Sequence, residues 1–145
     1  AIGEHQVDPS TVIVELTESG LLSTDSRVAK LWVKLKEKGI QLALDDFGTG
    51  YSNFHYLNDL PPEIIKIDRS FTMKAIENEY EYKLLSLMSD MVHGMDVKVC
   101  VEGIENLDEL EKMLKVTPDY CQGYYFGKPC SYQEFTEHFV TPAQK

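Results

Sequence analysis

The sequence has no long hydrophobic run. Nowhere in its 145 residues do apolar residues approach the roughly 20 in succession that a membrane-spanning helix needs. It also shows no signal peptide, because the stretch from Ala1 to His5 contains no apolar core segment. An initiator Met is absent too, and we therefore expect the chain to be cut from a longer parent protein, which could itself be anchored in a membrane.

Cysteine and histidine are scarce and scattered. Three cysteines are too few and too far apart for a disulfide framework or a zinc site, and free thiols indicate a reducing cytoplasm. The four histidines are unclustered, and we interpret them as surface or core residues. These residues are Cys100, Cys121, Cys130, His5, His55, His93 and His138.

Basic residues are outnumbered by acidic ones. The chain has 14 Lys and Arg against 24 Asp and Glu, a net charge of −10. A groove for DNA or RNA needs a basic face, so nucleic-acid binding is excluded. A small anionic substrate could still bind if metal ions supplied the positive charge. With 43% hydrophobic and 26% charged residues, the composition is that of one globular domain.

Strand and helix patterns alternate along the chain. Five short apolar segments rich in β-branched residues predict buried strands: Thr11–Leu16, Ile40–Leu44, Ile64–Ile67, Val97–Val101 and a segment near Tyr120–Phe126. A helical pattern follows each of them, and repeated strand–helix units predict a parallel sheet. The fold class is therefore α/β.

Helix boundaries are signalled by capping residues and glycines. Ser23-Thr24-Asp25 predicts a helix start and Gly39 its end, and a short helix is expected around Tyr51–Leu57. One long helix that ends at Gly94 should follow the third strand. Capping-box spacings open the last two helices: Asn106 with Glu109, and Ser131 with Glu134.

Two architectures fit this order, a doubly wound sheet and part of a (β/α)8 barrel. Barrel enzymes gather their chemistry at the carboxyl ends of the strands, whereas an open sheet places it mainly at one switch point. Nearly every predicted strand ends in a carboxylate or an amide, which favours the barrel: Glu15, Asp45 with Asp46, Asp68, Glu102 and Gln122. Five of eight units in 145 residues suit a truncated barrel, since a complete one takes about 250 residues.

Adjacent carboxylates at Asp45 and Asp46 suggest a metal site. Two such groups repel each other unless a cation lies between them, although an isolated Asp-Asp pair is more often a turn or a helix cap. Glu15 and Glu102 should reach the same rim, where four carboxylates without a cation would be unfavourable. Ligands that are all oxygen point to Mg²⁺ or Mn²⁺ rather than zinc.

Lys66 and Asp68 lie two residues apart, so a regular strand would direct both to one face. A buried lysine needs an anionic partner, either Asp68 or the carboxylates of the metal site. Lys66 could orient a metal-bound water or take its proton. A plain interior ion pair fits the sequence equally well.

The segment from Asp45 to Ser52 forms a Gly-rich loop. Its Asp-Phe-Gly triplet is not that of a kinase, because the chain has no His-Arg-Asp loop and no phosphate-binding loop. The glycines fit a mobile loop over the site or a plain turn. Glu18 and Glu105, just past two strand ends, either support ligands or stabilise a first helical turn.

Taken together, five motifs resemble the EAL phosphodiesterase family, and the resemblance covers essentially the whole chain. The motifs are Glu-Leu-Thr-Glu-Ser at 15–19, Asp-Asp-Phe-Gly-Thr-Gly-Tyr-Ser at 45–52, Ile-Lys-Ile-Asp at 65–68, Glu-Gly-Ile-Glu at 102–105 and Gln-Gly-Tyr-Tyr-Phe-Gly-Lys-Pro at 122–129. The resemblance implies that residues 1–145 are the carboxyl-terminal portion of one EAL-type barrel, strands four to eight.

The resemblance also implies a two-metal site for Mg²⁺ or Mn²⁺. By similarity, Glu15 is a ligand of the first metal, Asp45 bridges the two, and Asp46 and Glu102 are ligands of the second. Lys66 resembles the lysine that contacts the attacking water.

Four further residues resemble parts of the same active site. Asp68, Glu105 and Gln122 match residues that support catalysis. Glu18 matches the glutamate that anchors the loop after Asp46, a loop linked in the family to dimerisation and control of activity.

The implied activity of the intact parent is hydrolysis of the bacterial messenger cyclic di-GMP to linear pGpG. The alternative is a receptor that binds cyclic di-GMP without cleaving it. The Glu-Ala-Leu signature and the metal-binding Asn of the next strand are missing, so we expect this fragment alone to be inactive. An open part-barrel should also form a homodimer or associate with the missing amino-terminal half.

Overall fold

The computed structural model describes residues 5–17, 20, 26–48, 57 and 61–140. Within these ranges, no helix combines the length and the apolar character that a membrane crossing would require.

Five parallel strands form one sheet in the order in which they occur along the chain. They are β1 (Ile13–Thr17), β2 (Gln41–Phe47), β3 (Ile64–Ile67), β4 (Lys98–Glu102) and β5 (Tyr120–Gln122). The predicted α/β class and the parallel sheet are confirmed. The fifth strand is shorter than predicted, because the chain turns at residues 123–126. Gly123 there lies so close to the backbone of Ile104 that any side chain would collide with it.

Helices connect the strands. They are α1 (Ser26–Glu37), α2 (Arg69–Glu77), α3 (Glu79–His93), α4 (Leu107–Leu114) and α5 (Tyr132–Phe135), with a 3₁₀ turn at Pro9–Thr11 and a π-helical segment at Thr136–Val140. Gly39, at φ +79°, follows the end of α1 as predicted. The predicted helix start at residues 23–25 lies outside the described residues, as does the helix expected around Tyr51–Leu57 except for Leu57.

The long helix predicted to end at Gly94 is confirmed as α3, and a separate helix that was not predicted, α2, precedes it. Asn78 separates them in an extended conformation (φ −129°), and its side chain accepts a hydrogen bond from the Tyr80 amide at 2.8 Å. An Asn side chain that satisfies a free amide in this way begins a new helix. The prediction did not include α2, because it rested on apolar residues that all lie beyond Asn78.

Both predicted capping residues cap their helices. Ser131 and Glu134 form the reciprocal capping box. Asn106 accepts from the Glu109 amide at 3.0 Å, but the Glu109 carboxylate bonds the Glu105 amide at 2.7 Å rather than the backbone amide of Asn106. The loop after β4 is therefore tied to the first turn of α4.

The two faces of the sheet have different environments. One face packs against the helices in a large apolar cluster that includes Leu44, Phe47, Ile65 and Val101. The opposite face carries a small buried cluster of Ala43, Ile64 and Cys100, beside a cavity of about 270 Å³. Strands in sequence order with helices along one face are consecutive units of a barrel. A doubly wound sheet would reverse its strand order and is thereby excluded.

Strand β2 contains a β-bulge at its carboxyl end. Leu44 pairs with Ile65 and Phe47 with Ile67, so β2 contributes one residue more than β3 over this interval. Asp46 adopts a left-handed conformation (φ +59°), which Asp tolerates better than most residues. Because of the extra residue, Phe47 returns to the helix-packed face and is fully buried.

Asp119 links β4, β5 and α3, and it should make stability depend on acid pH. Its carboxylate accepts from the Val99 amide at 2.8 Å and lies 2.9 Å from His93 Nε2. Partial burial alone would raise the pKa of Asp119, but these hydrogen bonds lower it overall. The stabilisation is therefore present above the pKa of an unfolded Asp and is lost as pH falls through the lower folded pKa.

We predict that Asp119→Asn lowers the free energy of unfolding at pH 7 by about 1 kcal/mol and flattens its decline between about pH 5 and pH 3. Urea unfolding across that range measures both effects. Asp90→Asn, on the exposed surface of α3, is the control. Identical pH profiles for the two variants would contradict the role of Asp119.

Candidate active site

Lys66 occupies the centre of the sheet on its inner face. It lies on β3, between β2 and β4, and pairs in register with Cys100. Its neighbours Ile65 and Ile67 point to the helix-packed face, so the alternation of the strand directs Lys66 to the other side. Only 7% of the residue is exposed, and a lysine buried to this extent requires anionic partners.

Three carboxylates from three strands surround the Lys66 ammonium. Its Nζ lies 2.9 Å from Glu15 Oε1 of β1, 3.2 Å from Asp45 Oδ1 of β2 and 2.8 Å from Glu102 Oε1 of β4. The predicted meeting of these strand ends at one rim is therefore present in the structure. One positive charge among three negative ones leaves two negative charges uncompensated.

Protonation at this cluster follows from burial and charge. Burial alone would lower the pKa of Lys66, but hydrogen bonds to Glu102 and Glu15 raise it above its ordinary value, so the side chain stays an ammonium. Burial raises the pKa of Glu102, which the contact with Lys66 offsets only in part. Burial, with the nearby charge of Glu102, raises the pKa of Cys100 to about 12. Cys100 is therefore a neutral thiol at physiological pH.

The carboxylate oxygens around Lys66 are ligands of the kind that a divalent cation binds. Asp45 Oδ1 is buried, and its partner among the described residues is the Lys66 ammonium at 3.2 Å. Carboxylate oxygens in excess of their counter-ions are what Mg²⁺ and Mn²⁺ prefer. Within the described residues, however, no three His, Cys, Asp or Glu side chains form a ready metal-binding group. The ammonium of Lys66 lies among the three carboxylates instead.

Asp68 is not a partner of Lys66, which corrects the expectation that both share one face. Strand β3 ends at Ile67, and Asp68 is the amino-terminal cap of α2, where its carboxylate accepts from the Ser70 amide at 2.8 Å. The change from strand to helix at this residue turns its side chain toward the helix terminus. Among the described residues, no ion pair joins it to Lys66.

The other predicted site residues lie on different elements around Lys66. Gln122 ends β5 and lines the 270 Å³ cavity together with Glu15 and Lys66. Glu105 lies on the loop after β4 and makes an ion pair with Arg69. Asp46 lies in the β2 bulge. Glu18 lies outside the described residues.

Arg69 is a site residue that the sequence analysis missed. It is the first residue of α2, and its guanidinium contacts the Glu105 carboxylate. Its aliphatic stem lies flat on Gly103, where an added Cβ would lie 2.7 Å from Arg69 Cβ and closer still to Cγ. Gly103 itself has φ +82°. The Glu-Gly-Ile-Glu motif carried the signal, because a glycine between two site carboxylates indicates a close approach by another group.

Two further cavities adjoin Gln122. One, of about 450 Å³, is lined by residues from Gln122 to Phe135, with Lys128 Nζ 5.4 Å from the ring centre of Tyr124. The other, of about 200 Å³, lies between Arg69 and Tyr124 and includes Glu102 and Glu105. Gln122 lines both of these cavities and the central one.

Comparison with known proteins places this arrangement in context. The model of the EAL domain family matches residues 1–129. Over 126 residues the chain is 32% identical to the cyclic di-GMP phosphodiesterase PdeA of Borreliella burgdorferi, covering 87% of this chain and 19% of that protein. The chain spans only 17% to 19% of the length of three curated relatives that it matches.

Solved structures agree with the sequence matches. The chain superposes on the PaMucR phosphodiesterase in complex with c-di-GMP with a TM-score of 0.84 at 28% identity, covering 92% of this chain and 54% of that one. It superposes on Klebsiella pneumoniae BlrP1, in a manganese and c-di-GMP complex, with a TM-score of 0.82 at 26% identity, covering 89% and 33%. The barrel architecture is thus shared with both.

The contact between Arg69 and Gly103 should make position 103 intolerant of a side chain. We predict that Gly103→Ala lowers the free energy of unfolding by about 2 kcal/mol or more, because strain at positive φ adds to a collision with Arg69. Gly39→Ala is the matched control, since Gly39 has φ +79° but only Pro9 Cβ lies nearby, at 4.0 Å. Equal losses in urea unfolding would show that Arg69 does not press on Gly103.

Proposed function

The chain belongs to the EAL domain family, and we propose that it supplies the carboxyl-terminal strands of a barrel that hydrolyses cyclic di-GMP to linear pGpG. The observation that carries this proposal is the convergence of Glu15, Asp45 and Glu102 on Lys66 at the carboxyl ends of four strands. That rim is where barrel enzymes carry out their chemistry. The homologues named above as cyclic di-GMP phosphodiesterases support the substrate.

The residues that would hold two Mg²⁺ or Mn²⁺ ions are Glu15, Asp45, Asp46 and Glu102. The excess of negative charge over the single ammonium at Lys66 supports this assignment. When bound, such ions supply positive charge that lowers the pKa of a coordinated water and stabilises charge on the phosphate. A further ligand is required from elsewhere in the barrel, in keeping with the missing Glu-Ala-Leu glutamate and Asn.

Lys66 would orient the attacking water. Its ammonium, held among the three carboxylates, can donate hydrogen bonds but has no lone pair to accept one. It therefore fixes the water and the phosphate oxygens in place by donation and charge. Gln122, on the wall of the same cavity, is positioned to contact the substrate directly.

Arg69, Glu105 and Asp68 would act as supports. The ion pair of Arg69 with Glu105 holds the loop that follows Glu102, and Asp68 fixes the start of the helix that carries Arg69. Displacement of such groups by even about 1 Å can lower a rate about 100-fold. The dinucleotide would occupy the cavities that meet at Gln122.

The isolated chain should be inactive and should associate. Strands β1 and β5 are the edges of the sheet, and Ile13 and Tyr120 on them are 47% and 43% exposed. Unpaired strand edges with exposed apolar side chains favour pairing with another chain. The rest of the barrel, or a second copy of this chain, would cover them.

A receptor that binds cyclic di-GMP without cleaving it is the second candidate. The observation in its favour is that the described residues alone do not form a three-ligand metal group. A binding module would need the cavities and Lys66 but not bound metal.

The deciding experiment measures cyclic di-GMP hydrolysis in Mg²⁺ or Mn²⁺ by a full-length protein that contains this sequence. We predict that Glu15→Gln lowers kcat by a factor on the order of 100 or more, because a metal ligand is lost, and that EDTA abolishes turnover until metal is restored. Glu37→Gln, at the exposed end of α1, is the control.

Each alternative outcome has a distinct meaning. Full activity in Glu15→Gln would contradict the assignment of Glu15. Tight binding of cyclic di-GMP without turnover by the unmodified protein would support the receptor. Turnover by the purified 145-residue chain as a monomer would contradict its expected inactivity.

A further inference from the structure

The ammonium of Lys66 contacts one oxygen of each of three carboxylates that are proposed above as metal ligands. Glu15 Oε1, Asp45 Oδ1 and Glu102 Oε1 all lie within 3.2 Å of its Nζ. A divalent cation held by these carboxylates needs oxygen ligands at about 2.0–2.2 Å. Each of the three carboxylates would therefore serve two cations at once.

Lys66 has little freedom to move away from these carboxylates. Its side chain is 9% exposed, and β2 and β4 flank it on either side. Below it, the inner face is apolar, with Ala43, Ile64 and Cys100 buried together. An ammonium moved toward that layer, which borders the 270 Å³ cavity, would lose its three ion pairs, and Ala43, Ile64 and Cys100 offer no negative charge in their place. The positive charge therefore stays at the rim.

We propose that Lys66 is a built-in competitor of the metal ions, which holds the three carboxylates together and lowers their affinity for divalent cations. The inference rests on the proposed function in so far as Glu15, Asp45 and Glu102 are the metal ligands. Binding of a cation must shift these carboxylates partly from the ammonium to the metal. Metal affinity is thus set by a lysine that is not itself a ligand.

Removal of the Lys66 ammonium should have two measurable effects. It should lower the stability of the metal-free protein and raise its affinity for a divalent cation. Without the ammonium, three partly buried carboxylates repel one another, so the protein loses stability in metal-free buffer. The same uncompensated charge attracts a divalent cation more strongly. Because an ammonium repels a dication at close range, its removal should raise affinity about tenfold or more.

The experiment measures Mn²⁺ binding by calorimetry, and melting temperatures in EDTA and in Mn²⁺, on the same full-length protein as the hydrolysis assay. Lys66→Met replaces the ammonium with an apolar side chain of similar length. It should bind Mn²⁺ about tenfold or more tightly than the unmodified protein and melt at a lower temperature in EDTA. Its melting temperature should also rise more on addition of Mn²⁺ than that of the unmodified protein.

Two control variants separate charge from side-chain packing. Lys66→Arg keeps the positive charge and should show no gain in affinity. Lys98→Met removes a lysine from the opposite end of the neighbouring strand, where it contacts the Tyr120 hydroxyl at 3.0 Å, and should behave like the unmodified protein. If Lys66→Met does not fold in EDTA, recovery of the folded protein on addition of Mn²⁺ supports the proposal, and failure to recover contradicts it.

Unchanged or weaker Mn²⁺ binding by Lys66→Met would overturn the inference. If the unmodified protein still hydrolyses cyclic di-GMP in that case, the proposed function stands and only the competition is wrong. If no variant binds Mn²⁺ at all, the metal assignment and the inference both fail.

Discussion

The ion cluster at Lys66 is the interaction on which the inner half of this protein depends. A single ammonium contacts side chains of β1, β2 and β4 while it lies on β3. Buried ion pairs add little net stability, because desolvation offsets the attraction. Their effect here is geometric, since the ammonium holds one oxygen from each of three strands within 3.2 Å of a single atom. The helix-packed face supplies the apolar burial that keeps the sheet intact around it.

Because side chains alternate between the two faces of each strand, the apolar residues of the core are kept apart from the charged residues of the site. On β3, Ile65 and Ile67 join the apolar cluster while Lys66 faces the cavity, and on β4 Val101 and Glu102 divide in the same way. Glu102 thus remains at the rim although its neighbours are buried. A fold that alternates in this way can change its inner residues with little effect on its packing, which is why barrels host many different reactions.

Much of this arrangement could be predicted from sequence, because its causes are local and periodic. β-branched runs identified the strands, and polar residues at their ends identified the rim. What could not be predicted depends on contacts between distant residues. Asn78 separates α2 from α3, Asp68 leaves its strand to cap α2, and the stem of Arg69 packs on Gly103. Neither periodicity nor motif spacing specifies where a strand ends or which side chain covers a glycine.

The bulge in β2 places a core residue, Phe47, next to a proposed site residue, Asp46. Phe47 reaches the core because the bulge absorbs the one extra residue that precedes it. Deletion of that extra residue, Asp46, would leave a regular strand in which the phenylalanine still faces the helices. In genetic terms, such a deletion would be a separation-of-function allele, which removes one carboxylate from the rim and spares the packing. A substitution that places a charge in the core would disrupt the packing as well. A deletion of Asp46 that keeps the reading frame should therefore reduce stability less than such a substitution.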